Sequence, residues 1–224
     1  MRKIILSNNE YYHIFNRGVD KRQIFLDEHD LNRFLQSMRE FNVLAPIGSI
    51  YENSFKTPLG DSVSKRGEEG NLVEFVGYCL NSNHYHFLLR QISDKGIEKF
   101  MHRLGVGYTM FFNEKNKRSG SLFQGKFKAV HIDSNEQLLH TSVYVNLNDK
   151  IHSLENPLGD SVSRWVRSGW GEYSHDNKKD MQSVFCNTDI ILSQFKNRDA
   201  YKIFAEDALS IIRENKEKME LMEE

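Results

Sequence analysis

The sequence predicts an α+β fold in which a four-stranded antiparallel sheet carries helices on one face, the ferredoxin-like or RRM-like architecture. Three observations predict it. Aromatic and β-branched residues mark a first strand, two segments carry apolar residues at helical spacing, and two apolar runs flank a short polar turn. The elements follow the order strand, helix, strand, hairpin partner and helix, which is typical of this class.

The first part of the chain supplies a strand and a helix. Residues 11–16 are rich in aromatic and β-branched side chains and predict a strand, which Gly18 ends. Residues 27–42 predict a helix, because apolar residues recur at helical spacing and acidic residues occupy the first turn. A second strand is expected over residues 45–51, and an inserted loop over residues 53–71.

The middle of the chain contains a hairpin and the most strongly patterned helix. Residues 73–80 and 84–91 predict two strands around the turn Asn81-Ser82-Asn83. Residues 96–116 predict an amphipathic helix with one continuous apolar stripe. Residues 129–132 are a candidate for a further short strand.

A capping box predicts where the next helix begins. Ser134 is followed three residues later by Gln137, so the helix should start there and run to about Asn148. We expect the main domain to cover residues 1–150. Residues 151–224 should form a loop and a helical extension, whose last helix begins near Arg198.

Composition restricts the class of protein only weakly. The formal net charge is -1, so no overall positive charge indicates nucleic acid, although a local basic patch is sufficient for binding it. The two cysteines do not make a disulfide framework, and a reducing cytoplasm is the expected location. No apolar run approaches about 18 residues, so we expect no membrane span, and the first residues do not suggest a signal peptide.

Two histidines on one strand are the most informative feature of the sequence. Side chains alternate faces along a strand, so His84 and His86 should point the same way and could bind one metal ion. A histidine pair of this kind also occurs as a structural element or as part of a zinc site. Tyr144 and Asn148 are one helical turn apart and should share a face. Together these residues suggest a tyrosine nucleophile that attacks a phosphodiester with the help of a metal ion.

A basic segment follows the strongest helix, and aromatic residues are interspersed in it. This combination suits contacts with phosphates and stacking on bases, while a solvated surface is the alternative. Cations near the end of the first strand could extend the surface. The candidate DNA-binding residues are Arg17, Lys21, Arg22, Lys115, Lys117, Arg118, Phe123, Gln124, Lys126 and Lys128.

Five motifs in order resemble the single-tyrosine HUH transposases of the IS200-like type, especially the REP-associated tyrosine transposases. The resemblance covers about residues 9–150. Asp149 replaces the proline that usually follows the last motif, and two long loops are additional. The motifs are His13-Ile14-Phe15-Asn16-Arg17-Gly18, Asn83-His84-Tyr85-His86, Tyr108-Thr109-Met110-Phe111-Phe112-Asn113, Gly120-Ser121-Leu122-Phe123-Gln124-Gly125-Lys126-Phe127-Lys128 and Tyr144-Val145-Asn146-Leu147-Asn148.

The resemblance implies a fold, a chemistry and a substrate. It implies the HUH endonuclease fold, with Mg²⁺ or Mn²⁺ held by His84, His86 and Asn148. Tyr144 would form a 5′-phosphotyrosine link to single-stranded or hairpin (REP-like) DNA and release a 3′-hydroxyl, and reversal on another end would transfer the strand. The family includes monomers and dimers, so a homodimer is one of two expected states.

Two other functions remain open at this stage. A domesticated relative could bind a sequence or a DNA hairpin without productive transposition, although the intact set of candidate site residues argues against simple decay. An RRM-like RNA-binding protein is less well supported, because the expected aromatic residues are absent from its strands. Tyr108 is a rival nucleophile, but it lies on the apolar stripe and is better interpreted as a core residue. His13, His102, His131 and His140 are interpreted as structural or surface residues.

A heptapeptide occurs twice without change, as residues 58–64 and 157–163. Both copies fall in predicted loops, where insertions are tolerated. Part of it, Gly-Asp-Ser-Val-Ser, can be encoded by GGA GAC TCG GTC TCC, whose two ends are complementary. We interpret the copies as translated remnants of a hairpin-forming palindrome, with little function as peptides.

Overall fold

The sheet confirms the predicted α+β class and contains one strand more than expected. The computed structural model describes residues 4–45, 70–152, 165–175 and 185–223. The strands are antiparallel and lie in the order β4-β1-β3-β2-β5. The described elements are β1 (Tyr11–Arg17), α1 (Glu28–Glu40), β2 (Val73–Asn81), β3 (His84–Gln91), α2 (Gly96–Lys115), β4 (Lys128–Ile132), α3 (Asn135–Asn146), α4 (Asn148–His152), β5 (Arg167–Ser168), α5 (Trp170–Ser174), α6 (Asp189–Leu192) and α7 (Arg198–Glu223).

The first six elements form the ferredoxin-like unit, and α1 and α2 pack on the same face of its sheet. Their contact is aromatic, with the Phe34 ring edge-on to Tyr108 at 4.8 Å between centroids. Phe34 also contacts Tyr85 and Phe87 of β3, and all four rings are buried. Within this unit, both helices therefore lie on one face of the sheet, as the sequence predicted.

The opposite face of the sheet is covered by α3, which the sequence had not assigned to a face. Ser134 caps this helix by accepting a hydrogen bond from the backbone N–H of Gln137, as the capping box predicted. The helix ends at Asn146 instead of running to Asn148, because Leu147 leaves the helical conformation and α4 begins at the next residue. Because of this break, Asn148 is the first residue of α4 and not part of the last turn of α3.

The predicted last helix is present as α7 and packs against the main unit. The hydroxyl groups of Tyr201 on α7 and Ser142 on α3 are 3.0 Å apart, and both residues are fully buried. Tyr201 also packs on Tyr173 of α5 at 5.2 Å between ring centroids. A boundary near residue 150 therefore stays a prediction, since the extension shares core contacts with α3.

Several predictions fall on parts of the chain outside the described residues. They include nearly all of the predicted strand at residues 45–51 and of the inserted loop at residues 53–71. Both copies of the heptapeptide, residues 58–64 and 157–163, also lie outside the described ranges.

One ion-pair cluster connects the ends of α1 and α2. Asp27 caps α1, and its neighbour Asp30 has a fully buried side chain. Nζ of Lys115, in the last turn of α2, lies 2.6 Å from a carboxylate oxygen of each aspartate. Removing the ammonium would leave the buried carboxylate of Asp30 without its cation.

We predict that Lys115→Met lowers the free energy of unfolding by about 2 kcal/mol, less than for a fully buried pair because Lys115 is partly exposed. Urea denaturation measures this loss. Lys99→Met, on the exposed side of the same helix, is the control and should change stability by less than about 0.5 kcal/mol. Equal stability of the two variants would contradict a structural role for the cluster.

Candidate active site

The two histidines predicted as metal ligands share one face of β3, opposite to the aromatic core. Tyr85 and Phe87 point toward α1 and α2, so the alternation of the strand directs His84 and His86 to the other face. The ring centroids of the two histidines are 5.1 Å apart. Both imidazoles thus face the side of the sheet that α3 covers.

The predicted nucleophile reaches the histidines from α3. The Tyr144 ring stands edge-on to His86, with 5.6 Å between centroids. It is also edge-on to His13 of β1 at the same centroid distance. The tyrosine and the histidines that meet here belong to one chain.

Asn148 completes the group of four predicted site residues. It is fully buried at the start of α4, and its Oδ1 lies 3.2 Å from Nε2 of His84. Its amide also interacts with the hydroxyl of Tyr144, which lowers the pKa of the tyrosine and partly opposes the larger upward effect of burial. The break after α3 brings Asn148 to the histidines while Tyr144 stays on the preceding helix.

The donor atoms at this site fit a divalent cation. Nδ1 of His84 lies 2.6 Å from Oδ1 of Asn83, so Nδ1 carries the proton and Nε2 presents its lone pair. That lone pair and the carbonyl oxygen of Asn148 face each other at 3.2 Å. Two neighbouring ligands of an octahedral Mg²⁺ ion are about 3 Å apart, given metal–ligand distances near 2.1 Å. His84, His86 and Asn148 could hold the ion, with the histidines binding through Nε2.

His13 is a site residue that sequence reasoning had assigned to a structural or surface role. Its Nε2 lies 2.8 Å from Nδ1 of His86, and the two rings are stacked with 5.1 Å between centroids. Burial lowers the pKa of His13 to about 4, so this imidazole is neutral near pH 7 and its Nε2 can accept a hydrogen bond from Nδ1–H of His86. The hydrogen bond would leave Nε2 of His86 as its metal-binding atom.

The rival nucleophile, Tyr108, is confirmed as a core residue. It is fully buried on the far side of the sheet, and its hydroxyl donates a hydrogen bond of 2.6 Å to the carbonyl of Ile24. Burial raises its pKa well above the usual value. Tyr108 is therefore on the wrong side of the sheet to act with the histidines, and its hydroxyl is already hydrogen-bonded in the core.

A second group of possible metal ligands lies at the start of α1. Ligand atoms of Asp27, His29 and Asp30 lie within 4.8 Å of one another. The ammonium of Lys115 already contacts both carboxylates at 2.6 Å and supplies positive charge there. This group is therefore explained as an ion-pair cluster.

Part of the predicted DNA-binding set lies beside the histidines. Arg17 pairs directly with His84 across the β1–β3 ladder, and its Nε donates a hydrogen bond to the side chain of Gln124. Lys128 pairs with Phe15 on the other side of β1, and its Nζ lies 5.8 Å from the centre of the Phe15 ring. Residues directly opposite one another share a face, so these side chains border the histidines.

The remaining members of the set have different surroundings. Phe123 is only 8% exposed and packs on Tyr85 and Tyr108, so its ring lies in the core of this structure and not on the surface. Lys115 is engaged by the two aspartates of α1, and Arg118 bonds to Asn113 and to the carbonyl of Ser121. Four other cations of the set are exposed: Lys21, Arg22, Lys117 and Lys126.

Comparison with known proteins identifies the family of the central segment. Residues 50–148 match the family model described as "Transposase IS200 like", a segment of less than half of the 224 residues that includes all four predicted site residues. The match confirms the family that the motifs indicated for this part of the chain. A similar solved structure is that of a REP-associated tyrosine transposase bound to a REP hairpin, with 10% identity, a TM-score of 0.46, and coverage of 68% of this chain and 74% of that chain. No curated protein matches the chain.

Within the part of the chain that the structure describes, no helix is both long and apolar enough to cross a bilayer.

We predict that His13 orients His86 for metal binding. His13→Ala should weaken Mn²⁺ binding roughly tenfold, a typical loss when the partner of a metal-binding histidine is removed. His13→Gln keeps an amide oxygen within reach of Nδ1 of His86 and should retain most of the affinity. Mn²⁺ affinity is measured from the electron paramagnetic resonance signal of the free ion.

His131→Ala is the matched control for this experiment. His131 lies in β4 on the other face of the sheet, next to Tyr12, and pairs with Glu10. Its loss should leave Mn²⁺ affinity unchanged. If His13→Ala binds Mn²⁺ as tightly as this control does, the orienting role of His13 is excluded.

Proposed function

We propose that this protein cleaves and rejoins single-stranded DNA through a covalent link to Tyr144, on hairpin-forming substrates. The observation that carries the proposal is the convergence of Tyr144 and Asn148 with His84 and His86, which come from segments about sixty residues apart. The family of the central segment provides independent support, because it consists of IS200-like transposases.

The reaction requires one bond to form and one to break at the same phosphorus. The Tyr144 oxygen attacks the phosphorus, its proton passes to solvent or a base, and the bond between phosphorus and the 3′-oxygen breaks. The products are a 5′-phosphotyrosine and a strand end whose 3′-oxygen takes up a proton. Attack by another 3′-hydroxyl reverses the step and transfers the strand. A divalent cation, when bound, neutralises charge on the phosphate oxygens.

The protein's own groups account for orientation in this scheme. Packing against His13 and His86 fixes the Tyr144 ring. Burial raises the pKa of Tyr144, so the phenol is protonated at neutral pH and its activation depends on the surroundings in the complex with DNA. His84, His86 and Asn148 provide the ligands for Mg²⁺ or Mn²⁺ in this proposal.

The DNA surface that we propose lies on β1 and β4, on the face of the sheet that carries the histidines. Arg17 and Lys128 supply charge on the two sides of Phe15, whose half-buried ring stacks on His13 and His86. Cations next to an aromatic ring suit phosphates and bases of a single strand. Lys115 and Phe123 are not included, because one is paired and the other is buried.

The competing function is hairpin binding without chemistry, as in a domesticated relative. It requires the same surface but no covalent adduct. A homodimer and a cytoplasmic location stay predictions from the sequence.

We predict that Tyr144→Phe abolishes the covalent adduct while hairpin binding is retained, because only the attacking oxygen is lost and the ring contacts remain. The substrates are single-stranded hairpins from the DNA flanking the gene, incubated with Mg²⁺ and analysed by denaturing electrophoresis. A label at the 3′ end should migrate with the protein, and a label at the 5′ end should leave with the free 3′-hydroxyl.

Tyr108→Phe is the control for this experiment. It should still form the adduct, since Tyr108 only bonds to a backbone carbonyl in the core. The double variant His84→Ala, His86→Ala should lose cleavage. Adduct formation by Tyr144→Phe would disprove the assignment, and an inactive wild-type protein that binds hairpins would favour the competing function.

We predict that the double variant Arg17→Ala, Lys128→Ala binds single-stranded DNA more weakly and with a flatter salt dependence. Each lost phosphate contact should reduce the slope of log K against log salt by about 0.7. The control is the double variant Lys95→Asn, Lys99→Ala, which also removes two cations. These residues lie at the start of α2, next to the end of β3 that is farther from His84. An unchanged slope in the first variant would place the DNA elsewhere.

A further inference from the structure

Three polar atoms of the candidate metal site meet at one end of the hairpin. They are Nε2 of His84, Oδ1 of Asn148 and the amide nitrogen of Asn81. Their separations are 3.2 Å between His84 and Asn148, 3.0 Å between His84 and Asn81, and 2.9 Å between Asn81 and Asn148. Three ligands on one face of an octahedral site are about 3 Å from one another.

Asn81 is held in this position by the strand ladder. It is the last residue of β2 and pairs directly with His84, the first residue of β3. It is 7% exposed, so its amide is a buried polar group that needs partners. The sequence had assigned it only to the turn of the hairpin.

The amide of Asn81 takes part in two hydrogen bonds within this group. Nδ1 of His84 carries the proton shared with Asn83, so Nε2 is an acceptor, and so is Oδ1 of Asn148. The –NH₂ group of Asn81 donates a hydrogen bond to each of these two acceptors. A cation at the same point would repel the amide hydrogens.

We propose that Asn81 is an additional metal ligand, which turns its amide so that Oδ1 joins Nε2 of His84 and Oδ1 of Asn148 around the cation. This inference rests on the function proposed above and adds a residue to the metal site. It makes His84, His86, Asn148 and Asn81 four protein ligands. A cation held by these side chains would supply positive charge next to the phosphate of a bound strand.

Cys79 lies on the other side of the Asn81 amide and can interact with it before and after the rotation. In the present orientation, the thiol of Cys79 donates to Oδ1 of Asn81 at a distance of 3.8 Å. After rotation, the –NH₂ group faces this sulfur, which can act as a weak acceptor. The two orientations of the amide therefore both leave its buried atoms with neighbours.

The variant Asn81→Asp distinguishes two roles of Asn81, that of a metal ligand and that of a hydrogen-bond donor. A carboxylate is a stronger ligand for Mn²⁺, so a ligand role predicts roughly three- to tenfold tighter binding. A donor role predicts weaker binding, because the carboxylate cannot donate and repels Oδ1 of Asn148. Asn81→Leu should weaken binding roughly tenfold. Asn83→Asp places the same charge next to the other nitrogen of His84 and controls for a long-range effect of charge.

The measurement is Mn²⁺ affinity of the full chain without DNA, by titration calorimetry and by the resonance signal of free Mn²⁺. Tighter binding by Asn81→Asp than by Asn83→Asp, together with weaker binding by Asn81→Leu, supports the proposal. Unchanged or weaker binding by Asn81→Asp overturns it. The variant His84→Ala distinguishes a failure of this inference from a failure of the proposed metal site. If His84→Ala binds Mn²⁺ as tightly as the wild type does, the proposed metal site itself is wrong.

A second variant tests the ligand if Asn81→Asp does not fold. Asn81→Cys offers a soft thiolate, which should weaken Mn²⁺ binding and strengthen Cd²⁺ binding. A ligand role predicts a thiolate-to-Cd²⁺ charge-transfer band that is absent from the wild type, which already contains Cys79. Absence of this band in Asn81→Cys, with Cd²⁺ affinity unchanged, overturns the proposal.

Discussion

The antiparallel register between β1 and β3 is the constraint on which the candidate site depends. It places Phe15 opposite His86 and Arg17 opposite His84, and thereby fixes which residues border the histidines. A shift of one residue would turn both histidines into the core and expose the intervening aromatic side chains of β3. Burial of those aromatic rings against α1 and α2 thus stabilises the register that the site requires. Stability and site geometry have the same physical origin in this strand.

The break between α3 and α4 is the second constraint. A continuous helix would keep Asn148 one turn beyond Tyr144 on the same face, as the sequence pattern suggested. Leu147 instead interrupts the helix. Asn148 is buried, and its side-chain oxygen Oδ1 lies next to Nε2 of His84. Tyr144 is meanwhile fixed against the imidazoles of His13 and His86. The side chains of Tyr144 and Asn148 still interact across the break, so the tyrosine contacts His86 and the amide contacts His84 as parts of one group.

The sequence was informative wherever a local pattern determines the structure. Alternation placed His84 and His86 on one face, and the capping box located the start of α3. It could not identify His13 or Asn81 as neighbours of the site, because strand pairing depends on contacts that are distant in sequence. The burial of Phe123, which the sequence suggested for base stacking, could not be foreseen for the same reason. Interspersed aromatic and basic residues suggest a binding surface, but whether one ring enters the core depends on tertiary packing, here against Tyr85 and Tyr108.

The two tyrosines that matched family motifs show how burial separates structural from chemical roles. Burial raises the pKa of both phenols, so neither is activated by solvent alone. The hydroxyl of Tyr108 is already used by the carbonyl of Ile24, inside a cluster of rings that no DNA strand could enter. Tyr144 is half-buried and interacts with Asn148, beside the two histidines. In the function proposed above, the reactivity of Tyr144 would therefore depend on the phosphate and the cation that join this group, and the phenol would stay protonated in the free protein.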